Sequence, residues 1–104
     1  MSDDSLIAEF DEEMLGIYRR ALSEAKYKAT RFLQMLHEYR GLETARILLH
    51  SEHVSEGYTA LYERGRLDLT VEAIIHDNRK WHALFTEEDL AICIKRLREY
   101  GYLS

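Results

Sequence analysis

This chain predicts an all-α fold, and three observations predict it. There is no proline and there are only five glycines in 104 residues, so the usual helix breakers are missing from most of the chain. Valine occurs only at Val54 and Val71, and no run of β-branched residues alternates with polar ones as a half-buried strand requires. Apolar residues recur instead at steps of three and four, the spacing of one helix face. At this length, with 46% apolar side chains, the chain reads as one helical domain over residues 1–104 with enough apolar surface to bury a core.

The first 40 residues read as one long helix, or as two helices nearly in line. Ile7, Phe10, Met14, Ile17, Ala21, Ala25, Ala29, Phe32 and Leu36 form one stripe. Gly16 is the weak point, at a cost of roughly 1 kcal/mol against alanine. Asp3, Asp4 and Ser5 suit the start, where side-chain oxygens cap free amides and acids favour the positive end of the helix dipole. Arg40-Gly41 suits the stop. About four shorter helices follow. The first, 42–50, carries Leu42, Ala45, Leu48 and Leu49 on one side. The second is capped by Ser55, runs through Tyr58, Leu61 and Tyr62, and ends at Gly65. In "RGRLDLTVEA", Gly65 supplies a left-handed helix end, Leu67 and Leu69 point into the core, and Asp68 or Thr70 starts a helix through Val71, Ile74 and Ile75. "HDNRK" at 76–80 is a polar connector, with a short turn at Trp81, Leu84 and Phe85. Thr86 with Asp89 approximates a capping box for the last helix, which stops at Gly101.

The formal net charge is -5, which argues against broad electrostatic binding to nucleic acid. Cys93, the single cysteine, lies in an apolar helical pattern and reads as a buried small hydrophobe. The first 13 residues are acidic, unlike a secretory signal, and no apolar run approaches the roughly 20 residues that span a bilayer. A cytoplasmic location is therefore expected.

"GLETARILL" (41–49), "SEGYTALYERGRLDLTVEAII" (55–75) and "LFTEEDLAICIKRLREYGY" (84–102) resemble a widespread, uncharacterised family of small bacterial proteins. Its pattern runs G-x-E-T-A, then S-x-G-aromatic, then G-R-L-D-L-T-x-E, then L-F-T-x-E-E. The resemblance covers most of the chain. It implies a complete bacterial unit and transfers no catalytic residue. One departure stands at Arg40, where the pattern has glycine before Gly41; a glycine there would loosen the same turn.

No constellation carries an obvious chemistry. His50 and His53, at i and i+3 in "HSEH", would share a helix side and offer two metal ligands, but zinc needs three or four and no third is near in sequence. There is no G-x-S-x-G turn, no glycine-rich phosphate loop and no cofactor signature. Charge is more informative. Residues 1–16 carry six acids and no base, whereas 17–40 carry six bases and two acids. Arg19, Arg20, Lys26, Lys28 and Arg31 fall on the arc away from the apolar stripe. An antiparallel pair of such helices would be self-complementary, with Ala21, Ala25 and Ala29 allowing close approach, so a homodimer is one expectation. Tyr18, Tyr27 and Tyr39 among these bases give a weaker nucleic-acid reading. The expected function is a non-catalytic protein–protein interaction module, acting as an adaptor, regulator or inhibitor in the bacterial cytosol. The expected contact residues are Arg19, Arg20, Lys28 and Arg31, then Arg64, Arg66 and Trp81, since Arg and Trp are common interface anchors. A nucleic-acid-associated regulator and a metal-binding protein using His50 and His53 are the alternatives.

Overall fold

The protein is described here by a computed structural model covering residues 2–104. Its helices are Ser2–Ala25 (α1), Thr30–Leu49 (α2), Glu56–Glu63 (α3), Val71–Asp77 (α4) and Glu87–Glu99 (α5). Two short 3₁₀ segments, Leu67–Leu69 and Arg79–Leu84, lie before and after α4. There is no strand among the described residues, so the all-α class and the long N-terminal helix stand. Asp3 and Asp4 sit inside the first turn of α1, where they oppose the helix dipole's positive end.

The first 40 residues do not form one rod or two collinear helices. The chain leaves helix at 26–29 and folds back, so that Gly41 of α2 meets Asp11 of α1. Length explains the reversal: a 40-residue helix would be about 60 Å long, against a longest molecular extent of 39 Å. Half of such a rod would find no core to bury its stripe. Lys26 takes a left-handed conformation (φ 56°) at the turn, and the Tyr27 N–H donates to the Ala21 carbonyl at 2.9 Å.

The stop expected at Arg40-Gly41 exists as a sharp break inside α2. Arg40 has φ 70° and ψ 178°, with helix on both sides. The amide after the break is held from another helix: Gly41 N–H donates to Asp11 Oδ1 at 2.6 Å. A Cβ on residue 41 would lie 2.7 Å from that oxygen and 3.0 Å from the Asp11 Cα, so glycine is required by close approach of two helices.

The remaining corners follow the sequence closely. Ser55, Thr70 and Thr86 each accept a backbone N–H at the start of α3, α4 and α5, and Asp89 completes the capping box. Gly65 and Gly101 are left-handed, at φ 70° and 83°. Leu67 and Leu69 are buried.

The main core joins Phe10, Met14 and Ile17 of α1 to Ala45, Leu49, Val71, Ile75, Leu84, Phe85 and Cys93. Trp81 belongs to it as well, packed edge-to-face on Phe10 at 5.2 Å. It is 3% exposed. The expectation that Trp81 anchors a partner, drawn from the frequency of tryptophan at interfaces, is corrected on that ground: the Arg79–Leu84 turn places the ring in the core. Ala21 and Ala25 are covered within the monomer by Leu61, Leu69 and Tyr27. Two alanines of the small-residue stripe are thus packed inside the monomer, and the reversal parts Lys26, Lys28, Arg31 and Arg40 from the acidic half of α1, while Arg19 and Arg20 stay on it. Among the described residues, no helix is long and apolar enough to cross a membrane.

Candidate functional site

Folding α2 back against α1 leaves a wedge between the two helices, the 50–55 connector and α3. The wedge is an open cleft of about 420 Å³, within the range typical of ligand sites. Ile17 and Ala21 contribute from α1, Phe32 and Met35 from α2, and Leu61 and Leu69 from the far side. Its margin is charged: Arg31 stands on the α2 side, and Glu52, His53 and Glu56 stand on the connector and α3 side. Arg31 is exposed and makes no ion pair among the described residues. A concavity made by chain reversal at 26–29 has no local signature in the sequence.

Beneath one wall lies a buried ion pair that periodicity did not reveal. Arg96 Nη1 donates to Glu72 Oε2 at 2.9 Å and to the Leu48 carbonyl at 3.0 Å, while Nη2 donates to the Ser51 carbonyl at 2.8 Å. Both residues are buried. Desolvation pushes the Glu72 carboxyl above its ordinary range, against the opposing pull of hydrogen bonds and the Arg96 charge. Glu72, on the short helix α4, is 3% exposed. The arrangement satisfies carbonyls at and beyond the C-terminal end of α2, which have no partner in their own helix. Burial likewise pushes the Cys93 thiol up to about 12, which keeps it protonated at neutral pH.

The two candidate metal ligands are separated in role. His50 Nε2 lies 2.6 Å from Asp89 Oδ1, joining the end of α2 to the start of α5. Burial pushes the Asp89 carboxyl up, but hydrogen bonds from Thr86 and His50 outweigh it, and the group ends below its ordinary range. The His53 imidazole is exposed, 3.8 Å from Glu52. No group of three or more His, Cys, Asp or Glu among the described residues is placed to hold a metal ion. A second recess, of about 370 Å³, lies on the other side of the 50–55 connector, next to His50, Lys95 and Tyr100.

The predicted contact residues divide in two. Arg19, Lys28 and Arg31 are exposed. Arg20 is bound within its own helix to Glu13 at 2.9 Å. Arg64 Nε donates to the Ala25 carbonyl at 3.0 Å and Nη1 to the Ala60 carbonyl at 3.0 Å, with the guanidinium 5.1 Å over the Tyr27 ring. Arg66 holds Asp68 through two bonds of 3.0 Å and reaches Glu24 at 2.8 Å. Two arginines at one corner therefore have a structural cause: they bind the end of α1 to the α3 corner.

A comparison with protein-family models, curated proteins and solved structures finds no match to this chain.

Proposed function

We propose that this protein is a non-catalytic interaction module of the bacterial cytosol, an adaptor, regulator or inhibitor that receives an amphipathic segment of a partner protein in the α1–α2 cleft. The observation that carries the reading is the cleft itself: apolar in its depth, charged at its margin, and open. Apolar anchors entering a groove are the usual basis of helix recognition. The segment that fits has apolar side chains for the Phe32–Met35–Leu61 surface and a carboxylate beside them for Arg31. A basic flank on its other side would meet Glu52 and Glu56. A non-catalytic role is supported by the buried titrating groups, one in the cleft wall and one in the main core. The Glu72 carboxylate is held by Arg96, and the Cys93 thiol is protonated and buried.

The test compares capture from native lysate by wild type, Arg31→Glu and Met35→Lys, each checked for an unchanged melting temperature, with and without nuclease. The expected result is a protein retained by wild type in the presence of nuclease and lost with both variants. Equal capture by all three proteins would overturn the reading, as would capture abolished by nuclease, which would favour the nucleic-acid alternative.

A further inference from the structure

We propose that residues 30–39, the first half of α2, form a flap hinged at Arg40 that widens the cleft. Three independent observations support it. First, among the described residues, the non-glycine positions with left-handed φ are Lys26 and Arg40, and they bracket this segment. Arg40 at φ 70°, ψ 178° occupies a region populated essentially by glycine, so the closed arrangement is strained at its hinge. Second, none of residues 30–40 is buried, whereas Gly41, Thr44, Ala45 and Leu49 are. The flap is held by half-buried Phe32 and Leu36, and a helix of ten residues is marginal without firm packing. Third, the flap is a wall of the cleft, through Arg31, Phe32 and Met35.

The points that hold it are few. Thr44 Oγ1 donates to the Met35 carbonyl at 3.1 Å across the break, and Asp11 holds the Gly41 amide at the hinge itself. Opening would free Arg40 from its strained conformation and expose Phe32 and Met35 to an incoming apolar side chain. Closing would return them against α1. The device regulates access to the proposed docking cleft and rests on that reading for its purpose, though the motion belongs to the free protein.

Hydrogen exchange on the free protein tests it. Amides of 30–39 should exchange at least on the order of 100-fold faster than those of 42–49, by local opening rather than global unfolding. Arg40→Gly removes the strain that opening relieves, so exchange at 30–39 should slow on the order of tenfold. Thr44→Val should speed exchange at 30–39 more than at 42–49. Equal protection on the two sides of Arg40 would overturn the proposal, and so would an Arg40→Gly variant whose 30–39 rates match wild type. Neither outcome touches the capture experiment, which reads the cleft and not its motion.

Discussion

Arg40→Gly should stabilise this protein, although it removes a charged side chain and introduces the most flexible residue. Arg40 sits at φ 70°, ψ 178°, where a Cβ is disfavoured and a non-glycine residue costs on the order of 1–3 kcal/mol. Glycine relieves that cost. It loses about 0.5–1 kcal/mol through the greater freedom of the unfolded chain. It also loses the Arg40–Asp11 contact, 3.5 Å long with the arginine side chain 79% exposed, and such surface pairs contribute about 0–1 kcal/mol. The net is a gain of about 1 kcal/mol. For a domain of this size that corresponds to a rise in melting temperature of roughly 4–8 °C. Thermal unfolding followed by circular dichroism measures it, with Arg40→Ala as the control. Alanine loses the ion contact and keeps the strained Cβ, so it should not rise. A fall for Arg40→Gly, or an equal rise for Arg40→Ala, would refute the strain argument.

The other expectations follow from the site's internal bonds. Arg64→Ala removes the donor to the Ala25 and Ala60 carbonyls and should cost about 1 kcal/mol in urea unfolding; Arg66→Ala, at a more exposed pair, should cost less, and two unchanged midpoints would return both residues to a partner role. Arg96→Met leaves the Glu72 carboxylate buried without its counter-charge and should cost about 3–5 kcal/mol at neutral pH, read as a shifted denaturant midpoint with unchanged slope. Asp89 is held below its ordinary range, so its contribution is present above the unfolded pKa of about 3.9 and is lost as pH falls through the lower folded-state value. Urea midpoints from pH 7 to pH 3 should therefore bring wild type and Asp89→Asn together at the acid end, and a gap that stays constant would deny the depressed carboxyl. Glu72 runs the other way: its raised carboxyl is a cost at neutral pH that fades in acid, so the comparison must be made within one pair of proteins.

What could be read from the sequence was local. Ser55, Thr70 and Thr86 cap helices because a side-chain oxygen three residues before a free amide meets it by helix geometry alone. Gly65 and Gly101 end helices because the left-handed conformation favours glycine. What escaped was non-local. Nothing in "AKYKAT" forbids helix, and the Ala21–Ala25–Ala29 spacing continues through it. The reversal there is decided by where the apolar stripe finds a partner. The cleft, the Glu72–Arg96 pair and the His50–Asp89 pair depend on that reversal or on contacts more than 20 residues apart. Trp81 was assigned to a partner by residue type alone, because one aromatic in a short turn carries no periodicity to assign its side. Arg64 and Arg66 are a subtler case. Their clustering was a real signal, and within the monomer it marks bonds to the end of α1.

The two sides of the cleft differ in how firmly they are built, and that difference bears on function. The connector side is fixed by charge-assisted bonds: Arg96 binds the Leu48 and Ser51 carbonyls and Glu72 together, joining the end of α2 to α4 and α5. The Tyr58 hydroxyl adds a bond to the Arg96 carbonyl at 3.0 Å, and the Tyr58 ring packs on Tyr100. The 30–39 side has half-buried apolar contacts, one threonine bond and a strained residue at its root. A domain selected only for stability would have little reason to keep Arg40 in that conformation, since a single substitution relieves it without altering the core. Retaining the strain makes sense if the same segment must sometimes yield. On the proposed docking role, the rigid wall would set the register of an entering segment and the loose wall would set how easily it enters.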